Sequence, residues 1–163
     1  MAIEPSSRLT EMETLATLLT PERTACRIED SNKKRLFETI ATIVSDNRPE
    51  LSYSDVLDNL VARENLGSTG LGQGIALPHC RVDKCEEPLG ALLSLASPIP
   101  FDAPDERPVD LLFVLLVPTE ARQQHLDILA EIARAFSDPA FCARLREAAD
   151  DEALYGAATA GAG

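Results

Sequence analysis

The chain has 163 residues, of which 45% are hydrophobic and 26% charged, a composition typical of one globular domain with a core of its own. Its formal net charge is -12, and its 15 Lys and Arg residues form no cluster suited to a polyanion, so we expect no nucleic-acid binding and no docking on an anionic membrane. No stretch approaches the roughly 18 apolar residues of a membrane-spanning helix, and no secretory signal opens the sequence. We therefore expect a cytoplasmic protein without membrane insertion.

The first predicted elements alternate between strand and helix. Residues Thr24–Glu29 predict a short strand, and Ser31 is the predicted N-cap of the helix after it, whose apolar side chains recur with the helical period. Ser52 and Asp55 resemble a capping pair that opens a second helix, and Gly67 is expected to end that helix.

A glycine-rich segment follows the second helix. It runs from Gly67 to Gly74 and has four glycines in eight residues, which predicts a loop shaped for close approach of the backbone. The hydroxyls of Ser68 and Thr69, with the backbone of Gly70, form a candidate loop for binding an oxyanion such as a phosphoryl group. The segment is neither a Walker A loop nor a dinucleotide fingerprint, because it lacks the Gly-Lys-Ser/Thr of the first and the following helix of the second.

The strongest strand signal lies in the second half of the chain. Residues Ile75–Leu77 predict a short strand that stops at Pro78, and Leu89–Leu95 predicts another strand. The run Leu111–Val117 consists of seven consecutive apolar residues, which predicts a central strand that helices cover on both faces.

Two helices are predicted after the central strand, over Ala121–Phe136 and Pro139–Ala148. Asp138 is the expected cap of the second, with Pro139 in its first turn. Taken together, the elements predict an α/β fold, a single-domain sandwich in which helices flank both faces of one sheet.

The four cysteines are Cys26, Cys80, Cys85 and Cys142. Their spacing matches neither a CxxC pair nor a structural zinc site, so reduced thiols used as small apolar residues are the expected state. A metal site built from His79, Cys80 and Cys85 matches no standard pattern, and no metal is expected.

His79 is the first candidate for chemistry, because it follows Pro78 at the end of a predicted buried strand. A neutral imidazole, with an ordinary pKa near ~6.5, is a nucleophile near pH 7 and forms a phosphoramidate that passes the phosphoryl group onward. Such transfer needs a positioned ring nitrogen, hydrogen-bond donors and positive charge, but no cofactor. The alternative is a surface histidine in a turn.

Two further residues, His125 and Arg63, are candidates with structural alternatives. His125 lies at one end of the apolar stripe of its helix, so it either donates an N–H to a phosphoryl oxygen or is a histidine at the edge of the core. Arg63 either contacts a phosphate through its guanidinium fork or only complements the dipole at the end of its helix. A Cys80–His125 nucleophile pair fits on residue types but lacks any flanking signature.

Several motifs agree in order and spacing with one known family. Arg63–Gly70, Gly74–His79, Pro108–Pro118 and His125–Ala133 together resemble the fructose/mannitol-type IIA domains of the bacterial phosphotransferase system. Within that family the pattern is most similar to the nitrogen-regulatory IIA proteins. The resemblance extends from about Leu15 to about Tyr155 and implies a domain over residues 13–158, with a flexible lead-in over 1–12 and a frayed tail over 159–163.

The resemblance implies a mixed five-stranded sheet and a role for each candidate residue. His79 matches the histidine that is phosphorylated through Nε2, and Arg63 and His125 match the arginine and second histidine that flank the phosphoryl group. The implied donor is an HPr-like phosphocarrier of the nitrogen branch. The implied targets are partners such as potassium-transport regulators and sensor kinases, controlled by phosphorylation state.

The sequence leaves two alternative functions open, and it differs from the family motif at one position. A sugar-specific IIA component would use the same chemistry but pass the group to a IIB domain, and a pure interaction module would have lost transfer altogether. Cys80 stands where the family commonly has glycine or alanine, which raises the question of redox sensitivity at the position after His79.

Overall fold

The sheet is built around the apolar run that the sequence places at its centre. In the computed structural model, which describes residue 11 and residues 13–160, Val109–Val117 is a fully paired strand in the middle of the sheet. The strands are β1 (Thr24–Ile28), β2 (Gly70–Gly72), β3 (Ile75–Ala76), β4 (His79–Arg81), β5 (Leu89–Ile99) and β6 (Val109–Val117). The helices are α1 (Lys33–Asn47), α2 (Tyr53–Leu66), α3 (Gln123–Phe136), α4 (Pro139–Glu147) and α5 (Asp151–Thr159), preceded by helical residues 13–18 and a 3-10 turn at Pro21–Arg23.

The sheet is mixed, as expected, and consists of six strands, one more than the five expected. Its order is β1-β5-β6-β3-β2, with β1 parallel to β5, β5 antiparallel to β6 and β3 parallel to β6. The sixth strand, β4, pairs with β6 beyond β3 on the same edge. Because Pro78 has no N–H to donate, it divides what would be one strand into β3 and β4.

Alternate side chains of β6 enter two separate core layers. Leu112, Val114 and Leu116 pack with α1 and α2, whereas Phe113 and Leu115 pack with α3, α4 and α5. Side chains of consecutive strand residues point to opposite faces, so an uninterrupted apolar strand requires apolar cover on both. The structure therefore confirms the α/β sandwich with helices on both faces.

The helix ends follow local capping rules, with two differences from prediction. Ser52 accepts a hydrogen bond from the Asp55 N–H, and Asp138 accepts one from the Ala140 N–H, as expected. The cap of α1 is Asn32 and not Ser31, because the Asn32 side chain reaches the Arg35 N–H. Helix α5 has no counterpart in the prediction, although Asp150 caps it through the Ala153 N–H.

The glycine-rich segment is not entirely a loop. Gly70–Gly72 forms β2, which pairs antiparallel with β3 through a turn in which Gly72 and Gly74 have positive φ values of 92° and 81°. Periodicity cannot reveal a three-residue strand rich in glycine, because such a strand shows no alternation of side chains.

The predicted lead-in and tail that flank the domain lie mostly outside the described residues. This holds for the lead-in over 1–12, apart from residue 11, and for residues 161–163 of the predicted tail. Across residue 11 and residues 13–160, no helix is long and apolar enough to cross a membrane.

Candidate functional site

His79 lies at the start of β4, immediately after the break that Pro78 makes in the sheet edge. Its backbone pairs with Leu115 of β6, and its ring is partly buried. The ring Nδ1 lies 2.8 Å from the Leu77 carbonyl oxygen. A carbonyl oxygen can only accept, so Nδ1 carries the hydrogen and donates it.

The protonation state of His79 leaves its other ring nitrogen free to react. Burial lowers the pKa of His79, the Leu77 hydrogen bond opposes this effect, and the nearby Arg63 adds to the lowering. The ring is therefore neutral at pH 7. With the hydrogen on Nδ1, the lone pair is on Nε2, which makes Nε2 the nucleophilic atom.

His125 lies against His79, although the two residues are far apart in the chain. The ring centroids are 5.4 Å apart and the rings meet edge to face at 77°. His125 lies on helix α3 and is 7% exposed. Neither ring nitrogen of His125 has a hydrogen-bond partner among the described residues. Burial has the largest effect and lowers the pKa of His125. Electrostatic interactions with His79, Arg81 and Arg63 lower it further. A buried imidazole with an unused N–H can donate to an oxyanion held at His79.

A shallow depression of about 350 Å³ brings His79 together with Arg63 and the glycine-rich segment. Arg63 is in the last turn of α2, where its Nη1 donates to the Gly67 carbonyl oxygen at 2.9 Å. This hydrogen bond holds the guanidinium beside the depression and leaves most of its donor fork available. Ser68, Thr69 and Gly70 line the same depression.

The side chains predicted to bind the phosphoryl group already have partners within the protein. The Ser68 hydroxyl donates to the Phe101 carbonyl oxygen at 2.9 Å, and the Thr69 hydroxyl donates to Glu64 at 2.6 Å. A Cβ on Gly70 would lie 2.7 Å from the Cβ of Ala103, so close packing alone requires glycine there. These contacts shape the segment in the free protein, and its predicted contact with a phosphoryl group stays a prediction.

Glu64 is the residue of the site that the sequence analysis missed. Its side chain is buried, and its carboxylate also accepts the Thr69 backbone N–H at 3.1 Å and pairs with Lys33 at 2.9 Å. The sequence does contain a signal that Glu64 is buried. Glu64 follows Val56 and Leu60 at intervals of four residues, which places all three on the buried face of α2. Glu64 thus fixes the segment that lies between Arg63 and His79.

Cys80 lies on the opposite face of the sheet from His79. Its side chain packs in the core layer of α1 and α2, whereas His125 belongs to α3 on the other face, so a Cys80–His125 nucleophile pair is excluded. Burial raises the pKa of the Cys80 thiol to about 12. The thiol therefore stays protonated near neutral pH, which disfavours the reactive thiolate form at this position.

The geometry places a neutral histidine at the edge of a mixed α/β sheet, with a second imidazole and a guanidinium nearby, an arrangement suited to nucleophilic chemistry. Residues 17–157 match the family described as "Phosphoenolpyruvate-dependent sugar phosphotransferase system, EIIA 2". The chain belongs to this family, and it is a IIA-type protein of the phosphotransferase system.

Within this family, the chain is similar to several nitrogen regulatory proteins. The chain is 48% identical over 141 residues to the nitrogen regulatory protein of Pseudomonas aeruginosa, covering 86% of this chain and 92% of that protein. It is 39% identical over 142 residues to the nitrogen regulatory protein of Escherichia coli K12, covering 86% of each. The crystal structure of the nitrogen regulatory protein IIA-Ntr from Neisseria meningitidis superposes with a TM-score of 0.81 at 38% identity, covering 89% of this chain and 99% of that chain.

If Arg63 contacts the phosphoryl group as predicted, Arg63→Ala should slow phosphoryl transfer about 10- to 100-fold, because the variant loses a cation and hydrogen-bond donor. The melting temperature is expected to stay close to that of wild type, since the Arg63 side chain makes one exposed hydrogen bond, to Gly67, among the residues that the structure describes. Rapid-quench measurement of transfer tests this, with Arg35→Ala on the exposed face of α1 as the matched control. A transfer rate equal to wild type would remove Arg63 from the site.

The stability of the protein is expected to fall as the pH drops through about 6.5, the ordinary pKa of histidine. The folded pKa values of His79 and His125 are both lowered, so the unfolded chain binds more protons in this range. The stabilisation is complete above the unfolded pKa and is lost as the pH falls towards the lowered folded values. Urea unfolding at about pH 7.5 and about pH 5.5 measures the loss.

A double variant provides the control for this pH effect. His79 and His125 are the two histidines of the chain, so the combined His79→Gln and His125→Gln protein has none. Its free energy of unfolding should change much less across the same pH range. The same loss in wild type and double variant would assign the effect to other groups.

Proposed function

We propose that this protein is a phosphocarrier of the nitrogen-related phosphotransferase system that accepts a phosphoryl group on Nε2 of His79 from an HPr-like donor. The observation that carries the proposal is the orientation of His79, whose Nδ1–H is held by the Leu77 carbonyl oxygen. Nε2 is thereby the free nucleophile beside His125 and Arg63. In this assignment His125 donates an N–H and Arg63 supplies positive charge as the group transfers.

The surroundings of His79 support exchange of the phosphoryl group between proteins. Leu71 lines the depression, and Leu66 and Leu126 are exposed at 86% and 60% on the two helices that border it. Exposed apolar side chains around a reactive group are typical of a protein-binding surface. An open depression also allows a partner's phosphohistidine to approach in line with Nε2.

The regulatory branch is proposed because relatives at 48% and 39% identity are named nitrogen regulatory proteins. In this role the phosphorylation state of His79 changes binding to partner proteins, of which potassium-transport regulators and sensor kinases are candidates. The charge of the phosphoryl group supplies the difference between the two states, since it adds negative charge to a partly apolar surface.

A reconstituted relay tests the proposal. The protein is incubated with phosphoenolpyruvate, a nitrogen-type enzyme I and its HPr-like carrier, and acid-labile phosphohistidine is measured with and without the carrier. We expect one phosphoryl group per chain, dependent on the carrier. An unmodified protein in a reaction where the carrier itself becomes phosphorylated would overturn the proposal. Rapid onward transfer to a fructose- or mannitol-type IIB domain would assign the protein to sugar transport instead.

A further inference from the structure

A second cavity, of about 670 Å³, lies apart from the depression at His79. Helical residues 13–18, the turn at Pro21–Arg23, the end of α1, the segment before β5 and the start of α3 form its walls. Its volume lies within the range of small-molecule sites. It shares no lining residue with the depression, although Gln124 and Ile128 of its wall belong to the helix that carries His125.

The wall of this cavity contains a buried arginine whose direct partners are all uncharged. Arg23 is 3% exposed, and its Nε, Nη1 and Nη2 donate to the Gly90 carbonyl, the Asn47 side-chain oxygen and the Leu18 carbonyl at 2.9, 2.5 and 2.8 Å. Burial lowers the pKa of Arg23, and the neighbouring Arg48 lowers it further. The carboxylates of Glu22 and Glu87 oppose this lowering, but neither accepts a hydrogen bond from Arg23 within the described residues, so the desolvation of the guanidinium is only partly offset.

Hydrogen-bond donors remain unused at the same place. A guanidinium has five N–H groups, and Arg23 uses three of them within the described residues, so two are left. Thr20 also lines the cavity, and its hydroxyl is buried without a hydrogen-bond partner in the part of the chain that the structure describes. Thr20 and Arg23 line the same cavity, and a carboxylate has two oxygens, one for each of these donors.

The other charges of the cavity favour a singly charged ligand. Glu13 and Glu87 line it together with Arg23 and Arg48, so the four formal charges sum to zero. Arg48 is already paired with Glu50 at 3.1 Å and Glu87 at 3.3 Å, which leaves Arg23 as the unpaired cation of the four. Because the four charges already sum to zero, a monoanion paired with Arg23 gives the cavity one net negative charge, whereas a dianionic phosphate would give it two and more repulsion from the two glutamates.

We propose that this cavity binds a small carboxylate-bearing molecule, whose carboxylate oxygens accept hydrogen bonds from Arg23 and from the Thr20 hydroxyl. The site is separate from the phosphoryl-transfer site, and its occupant would contact α3 at Gln124, the residue before His125.

Nuclear magnetic resonance on the full chain tests the proposal with named probes. Acetate, lactate and L-glutamate, each carrying one net negative charge, are titrated at constant ionic strength, with chloride, inorganic phosphate and glucose 6-phosphate in parallel. We expect saturable shifts of the Arg23 Nε–H and of the Asn47 and Gln124 side-chain amides with at least one carboxylate. Absence of saturable shifts with all three carboxylates, or stronger binding of either phosphate compound, would overturn the proposal.

A pair of isosteric variants separates ligand binding from a structural role. Thr20→Val removes the unpartnered hydroxyl, so the carboxylate is expected to bind about tenfold more weakly while the melting temperature of the free protein stays equal or rises. Thr42→Val is the control, since the Thr42 hydroxyl is exposed on α1 and bonds only the Glu38 carbonyl of its own helix. Equal affinity in wild type and Thr20→Val would contradict the proposed contact. This test does not involve phosphorylation, so its outcome is independent of the relay experiment.

Discussion

The His79→Gln variant is expected to take up no phosphoryl group in the reconstituted relay, a loss of the full signal. Glutamine keeps a side-chain N–H that can donate to the Leu77 carbonyl oxygen, but its amide nitrogen has no lone pair available for attack on phosphorus. The fold should be retained, because His79 lies at the sheet edge and is only partly buried. The measurement is carrier-dependent labelling, with the melting temperature as the check on folding.

His125→Gln provides the matched control, because His125 is the second of the two histidines in the chain. This variant should still be phosphorylated, but more slowly, by about 10²- to 10³-fold if its N–H stabilises the transferring group as an oxyanion-hole donor does. Label that survives in His79→Gln and disappears in His125→Gln would exchange the roles of the two residues. Label that survives in both would place the phosphoryl group on another side chain.

Glu64→Ala is expected to destabilise the protein by about 2–4 kcal/mol, mainly because two buried donors of Thr69 lose their acceptor. The variant leaves the Thr69 N–H and hydroxyl without their acceptor and leaves Lys33 without its closest carboxylate. Asp102 lies 3.5 Å from Lys33 but is exposed, so it cannot replace Glu64 at Thr69. Urea unfolding measures the change.

Two comparisons make the Glu64 result specific. Glu38→Ala removes a partly exposed glutamate of α1 whose ion pair with Arg35 is at 4.0 Å, and it should change stability by less than about 1 kcal/mol. Glu64→Gln keeps an acceptor for Thr69 and should lose less stability than Glu64→Ala. A loss of less than about 1 kcal/mol in Glu64→Ala would show that the contacts of Glu64 are energetically minor.

Phosphoryl transfer gives a second readout for Glu64, because its contacts set the position of the glycine-rich segment. The Leu77 N–H donates to the Thr69 carbonyl oxygen at 2.9 Å, and the Leu77 carbonyl in turn orients His79. The path from Glu64 to His79 therefore runs through Thr69 and Leu77. At a temperature where Glu64→Ala remains folded, its transfer rate should fall below that of Glu38→Ala.

Part of the site was predictable because its signals are local. Pro78 has no N–H to donate to a sheet, so the prediction of His79 at a strand break follows from two adjacent residues. The caps at Ser52 and Asp138 were predictable for the same reason, since each contacts a backbone N–H two or three residues away. The choice of Asn32 over Ser31 was not predictable, because both residue types cap helices equally well.

The sequence by itself determined the architecture and the candidate residues of this protein. The apolar run Leu111–Val117 requires cover on both faces, and the helical periods on either side of it supply that cover. The ordered motifs around Arg63, His79 and His125 then identified the family that the comparisons confirm.

Only the tertiary structure decided what these residues touch. It brings the ring of His125 to 5.4 Å from that of His79, pairs Thr69 with Glu64, and buries Arg23 in a cavity wall with Thr20, whose hydroxyl has no partner among the described residues. The physical reason is that periodicity and capping depend on neighbours in the chain, whereas the partner of a buried polar group depends on which elements pack against it. Long-range packing thus decides which polar groups are used within the fold and which remain available to a phosphoryl group or a ligand.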